Sequence, residues 1–189
     1  MSDFFLDGIL HITDLEGYDH MLFLLALCAP FTFREWKKVV LLATAFTLGH
    51  SISLALAATD AVRFSSSLIE FCIPITILLT AGFHFARKQP VVNVQPISYA
   101  ITSLFGIIHG LGFSGYFRMI SSEGESFLGQ LFMFNLGVEV GQLIILTTIL
   151  SIIAIAVAAL PKLTGHMTKI ISTPALVLAF WLAIEKWPF

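Results

Sequence analysis

From Phe127 to Leu160 the chain carries a single charged side chain, Glu139, in an otherwise apolar run. Such a run is far too long for a strand, and it exceeds the roughly 20 residues that a helix needs to cross a bilayer. Outside a membrane it would expose a greasy cylinder to water, so the rest of the chain has to be read as a membrane protein. Composition agrees. Of 189 residues, 57% are hydrophobic and only 12% charged, with a mean hydropathy of +0.92, which no soluble core absorbs. The reading is an all-α, polytopic integral membrane helical bundle. It has about six transmembrane helices plus a short N-terminal segment, in a single transmembrane domain, 1–189. Spans are expected at Tyr18 to Phe33, Val39 to Ala58, Ser66 to Phe85, Ile97 to Phe117, Phe127 to Leu160 and Ile170 to Trp187. The N-terminal stretch has no basic region of the kind that opens a secretory signal, so it is expected to stay in the mature fold.

Basic residues set the orientation. Arg34, Lys37 and Lys38 follow the first span, Arg87 and Lys88 the third, and Lys162 and Lys169 lie between the fifth and sixth. The positive-inside rule makes these loops cytoplasmic. The N-terminus, the loop with Asp60 and Arg63 and the loop with Arg118, Glu123 and Glu125 are then external. The expected location is a bacterial inner (cytoplasmic) membrane with the N-terminus external. The net charge of −2 points to no nucleic acid partner. The partners expected are the lipid bilayer and a metal ion, and homo-oligomers are left open. Cys28 and Cys72 fall inside apolar runs without a CxxC spacing and read as buried structural thiols.

Counting helical rise along each span assigns a depth to every polar side chain. Asp19 and His20 open the first span, His50 lies two thirds of the way out along the second, and Glu70 lies one turn into the third. His109 is just beyond the middle of the fourth span, and Asn135 and Glu139 are two to three turns into the fifth. All fall in the outer half. An ionisable group in hydrocarbon costs several kcal/mol unless it is paired or lines a wet cavity, so each is a candidate functional residue. A lone membrane histidine usually serves as interhelical hydrogen-bond glue. Three at one depth point instead to a shared ligand set, since neutral imidazole suits the late divalent metals and carboxylates complete such sites. The expected metal site is His11, His20, His50 and His109 with Asp19, Glu70 and Glu139, for Ni²⁺, Co²⁺ or Zn²⁺. Supporting residues are Ser51 beside His50, and Asn135 and Gln142, which share one helical stripe with Glu139. Asp14 and Glu16 read as a solvated helix end, and His84 and His166 as interfacial. Pro74 and the glycine-rich stretch around His109 are the expected helix interruptions. The pairs Gly106/Gly110 and Gly137/Gly141 would let helices approach closely.

Five stretches, "HITDLEGYDHMLFLLAL" (11–27), "FTLGHSISLALA" (46–57), "SLIEFCIPI" (67–75), "FGIIHGLGFSG" (105–115) and "FNLGVEVGQL" (134–143), together resemble the HupE/UreJ membrane proteins. The resemblance implies a helical membrane protein associated with nickel or cobalt supply to hydrogenase and urease maturation, expected to act as a secondary permease. It also implies that His11, Asp19 and His20 form the metal-handling motif, with His50 and His109 in two further family blocks. The spacer from His11 to the Asp19–His20 pair is longer here than in the family pattern, which makes His11 the least constrained of the ligands.

Three functions follow in order. The first is a divalent transition-metal (nickel or cobalt) permease or its metal-capture component. The second is an intramembrane zinc-dependent hydrolase or acyl transferase with Asp19, Glu70 or Glu139 as general base, suggested by the one-sidedness of the cluster. The third is a non-catalytic metal or haem sensor.

Overall fold

The computed structural model describes residues 2–15, 17–58, 64–87, 93–120 and 126–188. The orienting residues Asp60, Arg63, Lys88, Glu123 and Glu125, and Glu16, lie outside the described residues. The chain forms seven α-helices among the described residues: α1 (Ser2–Thr13), α2 (Asp19–Cys28), α3 (Trp36–Ala58), α4 (Ser66–Ala86), α5 (Pro96–Ile120), α6 (Phe127–Ala159) and α7 (Met167–Glu185). Five of them, α3 to α7 with their flanking turns, are long and apolar enough to cross a bilayer. Together with the apolar composition they mark an integral membrane protein.

Local signals account for the boundaries. A reciprocal capping box starts the turn before α3: Thr32 N–H donates to Glu35 Oε2 at 3.2 Å, and the Thr32 side chain caps the third residue of the turn. Pro96 occupies the first position of α5, where its missing N–H costs nothing. Ser126 accepts from Gly129 N–H at the start of α6, and Pro161 ends the run that follows. The outward faces of the long helices are greasy, as with Phe132, Ile144, Ile152 and Ile155 of α6, which is what lipid requires of a bundle surface.

Three close helix pairs surround α2. In the first two, glycine replaces a side chain so that backbones touch. A Cβ on Gly106 or Gly110 of α5 would collide with the Phe46 or His50 carbonyl of α3, and a Cβ on Gly49 with the Ser103 carbonyl. Gly8 of α1 meets the Phe134 carbonyl of α6 in the same way, and Gly137 of α6 meets the Phe5 carbonyl. Without a hydrophobic force between helices in lipid, this backbone approach with its van der Waals contact drives pairing. In both pairs residue numbers rise together, Phe46 to His50 against Gly106 to Gly110 and Phe5 to Ile12 against Gly137 to Gly141, so the helices run parallel. The third pair is antiparallel: Glu70 of α4 meets Lys186 just after α7, while Gly82 of α4 faces Leu176.

The central helix shows why the pairs are arranged around it. Its buried residues His20, Leu22, Phe23, Leu24, Ala26, Leu27 and Cys28 cover the full circumference, the mark of a helix enclosed on all sides. His20 lies against His109 and His50, and Phe23 one turn later lies against Phe105 and Phe46. So α2 runs opposite to α3 and α5, from the level of the histidines toward the end that carries the 3₁₀ turns.

This arrangement corrects the expected first span. A single helix from Tyr18 to Phe33 does not form, because α2 has only ten residues, about 15 Å of rise against about 30 Å of hydrocarbon. The twelve residues of α1 supply the other part, about 18 Å. They descend beside α6 to the histidines, where α2 takes over. The two half-helices together match one membrane crossing, broken between Thr13 and Asp19. The interruptions expected at Pro74 and around His109 do not form: α4 and α5 are continuous through both.

Candidate metal centre

The break between α1 and α2 brings four imidazoles together from four helices. His11 lies in the last turn of α1, His20 in the first turn of α2, His50 on α3 and His109 on α5. Ring centroids are 4.7 Å apart for His11–His20, 5.0 Å for His20–His109, 5.8 Å for His11–His50 and 6.0 Å for His20–His50. His20 touches all three of the others and is the hub. One nitrogen each from His11, His20 and His50 lie within 4.8 Å of one another. Nitrogens on a tetrahedral metal with bonds of 2.0–2.1 Å sit about 3.3 Å apart, so a modest contraction closes the site on an ion.

The nitrogens are buried and lack protein partners. Among the described residues His11 Nε2, His20 Nε2 and His109 Nδ1 make no hydrogen bond, and His50 is fully enclosed with Asn135 beside it, neither of its nitrogens in hydrogen-bonding geometry. Buried polar groups are almost always satisfied, and leaving one unpaired costs about 1–3 kcal/mol. With one lone pair per neutral ring, His11, His20 and His50 come together and His109 stands against His20, a set that fits a ligand accepting lone pairs, as a divalent cation does.

Asp19 orients the hub. One carboxylate oxygen, Oδ1, lies 2.8 Å from His20 Nδ1 and accepts the His20 backbone N–H at 2.7 Å. Holding the proton on Nδ1 leaves the Nε2 lone pair for a metal, the usual way in which a carboxylate fixes a ligating imidazole. Its negative charge also suits the amino end of α2. The carboxyl end of α1, with its outward-directed carbonyls, faces the cluster from the other side, and helix dipoles make that end favourable to a cation. We expect Asp19→Asn to weaken Co²⁺ binding about 10- to 100-fold without lowering the melting temperature of the metal-free protein. Calorimetric titration in detergent checks the first, and unchanged affinity would remove Asp19 from the centre.

A cavity of about 420 Å³ leads to these residues, bounded by Asp14 and Tyr18 from the break, Glu70 and Pro74 from α4, and Lys186. The Phe113 ring lies tilted against His11, centroids 3.7 Å apart, and forms part of the wall. On the opposite side the stacked rings of Phe23 and Phe46, 4.7 Å apart, close the floor. The cavity gives the cluster access from this side.

The remaining predicted residues lie apart from the four imidazoles. Glu70 is exposed on the cavity rim and pairs with Lys186 at 3.2 Å. Glu139 accepts from Thr44 Oγ1 at 2.6 Å, and Gln142 Oε1 lies 2.9 Å from Thr47 Oγ1. These contacts make a polar seam between α3 and α6, below His50. Asn135 donates to the Leu131 carbonyl and lies beside His50. Ser51 donates to the Thr47 carbonyl of its own helix. Glu70 and Glu139 thus stand outside the imidazole cluster, each with a partner from a distant part of the chain. Thr76, 3.0 Å from His109 Nε2, is a contact that sequence reasoning missed. A threonine in an apolar helix ordinarily bonds its own backbone, so nothing in the pattern marks it.

A family model described as HupE / UreJ protein matches residues 1–186, all but the last three positions of the chain. The chain belongs to the HupE/UreJ family. Membership carries, at the level of the family, a membrane role related to nickel or cobalt transport. No curated protein and no solved structure matches the chain.

Proposed function

We propose that this HupE/UreJ protein is a permease for a divalent transition metal, nickel or cobalt, or the metal-capture component of one. His11, His20, His50 and His109 receive the ion and Asp19 orients His20. The observation that carries this reading is the convergence of His11, His20 and His50, with His109 against His20, where a membrane crossing breaks into two half-helices. Secondary transporters place their sites at such breaks near the bilayer midplane, since interrupted backbone is tolerated only where it lines a cavity. Nitrogen-rich sites favour the later divalent metals over the hard, oxygen-seeking Mg²⁺ and Ca²⁺.

Placed with its basic loops in the cytoplasm, the N-terminal end of the bundle faces outward and the cavity opens to the outside. The metal sheds water as it passes to His11 and His20, and His50 and His109 complete its shell. The Phe23–Phe46 stack beneath is the closed inner gate of an outward-facing state, and the Thr44–Glu139 and Thr47–Gln142 seam offers oxygens on the far side.

The closed floor is the one feature that favours an intramembrane zinc hydrolase instead. That reading needs a free general base within reach of a metal-bound water. Asp19 is committed to His20, Glu70 to Lys186 and Glu139 to Thr44, which weighs against it. Proteoliposomes holding the purified protein should accumulate ⁶³Ni or ⁵⁷Co above empty vesicles, and His50→Ala and His109→Ala should each abolish the gain. No accumulation by the wild-type protein would sink the permease.

A further inference from the structure

We infer that Thr76 is the positioning residue that turns His109 into an Nδ1 ligand, acting from α4 on a histidine of α5. The inference rests on the metal-centre reading for its functional meaning, but the chemistry behind it concerns the metal-free protein.

Thr76 is buried and its hydroxyl has one proton to give. Oγ1 lies 2.7 Å from the Ile73 carbonyl of its own helix and 3.0 Å from His109 Nε2. The carbonyl is only an acceptor, so a bond there uses the proton, and Oγ1 can then only accept from the ring. That places hydrogen on His109 Nε2 and leaves Nδ1 as a bare lone pair. The opposite assignment fails twice. It gives up the bond to Ile73, and it puts a hydrogen on Nδ1, which is buried without a partner. A buried N–H with nothing to bond is the rarer and costlier of the two unsatisfied states.

The ring is also held against turning. Phe46 and Phe23 flank it with centroids at 5.0 and 5.6 Å, and the backbone of α5 is fixed against α3 at Gly106 and Gly110. The Thr80 hydroxyl bonds the Thr76 carbonyl at 2.9 Å one turn on, so the supporting turn of α4 is tied to itself. Thr76 does for His109 what Asp19 does for His20, with a neutral oxygen in place of a carboxylate. The two ligands thus present different atoms, Nε2 of His20 and Nδ1 of His109.

The test uses full-length protein labelled with ¹⁵N-histidine, in nanodiscs and free of metal. Histidine ring spectra should show one resonance set with Nε2 protonated and Nδ1 bare, assigned to His109 by its loss in His109→Gln. Thr76→Val, which keeps the shape and removes the acceptor, should move that set toward the other tautomer and weaken Co²⁺ binding about 10- to 100-fold. Thr76→Ser should restore both. A His109 tautomer and a Co²⁺ affinity unchanged in Thr76→Val would overturn the inference. So would loss of affinity in Thr76→Val with the tautomer intact, since that marks a purely structural role. If the wild-type protein binds no Co²⁺, the metal centre fails, while the tautomer of Thr76→Val still decides what Thr76 does.

Discussion

Replacing His20 by alanine is expected to weaken binding of Ni²⁺ or Co²⁺ at least about a hundredfold, close to 2.7 kcal/mol, and to stop uptake. His20 is the only one of the four imidazoles in ring contact with the other three. Its loss therefore removes a ligand and also separates His109 from the His11–His50 side. Asp19 would lose the imidazole and keep only the backbone N–H of residue 20, so some cation binding by its oxygens should remain, with the preference shifted toward harder ions. His84→Ala, near the opposite end of α4, should leave affinity unchanged. Titration calorimetry on the two variants settles the matter, and a His20→Ala protein that keeps wild-type affinity would dissolve the centre as described.

The second large effect concerns a residue that never touches the ion. Gly106→Ala adds one methyl group where the backbone of α3 already lies against α5, at the Phe46 carbonyl and the His50 N–H. Neither can yield without moving a helix, so the pair must separate. Overpacking of this kind costs about 1–3 kcal/mol, and here it also draws His50 away from His20 and His109. A lower melting temperature and a loss of metal affinity should appear together. Gly115→Ala is the matched control, because a Cβ there meets nothing within 4 Å. Should Gly106→Ala melt like the wild-type protein and bind metal equally well, the close α3–α5 approach is not what holds His50 in place.

These two cases also show what a sequence of this kind reveals. Gly106, Gly110, Gly137 and Gly141 could be read in advance because small residues one turn apart have few other uses in lipid. His20, His50 and His109 could be placed at one depth because each sits on, or opens, an apolar helix whose rise is fixed. The broken crossing was hidden for a physical reason. Neither α1 nor α2 reaches the length that a span requires, so α1 read as a surface segment and α2 as the start of a longer helix. Only their end-to-end placement on α6 and between α3, α4 and α5 makes them one crossing. The same break explains why His11, loosely constrained by its long spacer, still meets His20: α1 ends at Thr13 and α2 begins at Asp19. Glu70 and Glu139 stand apart from the imidazoles because a carboxylate in an apolar run demands a partner, and theirs, Lys186 and Thr44, come from distant parts of the chain. No local pattern could name them.

X-ray absorption at the cobalt or nickel edge, on protein loaded with one equivalent of metal, tests the central claim most directly. A first shell dominated by imidazole nitrogen is expected, with three or more histidines in wild type, one fewer in His50→Ala and one fewer in His11→Ala. A shell of oxygen atoms with one histidine or none, unchanged in those variants, would contradict it.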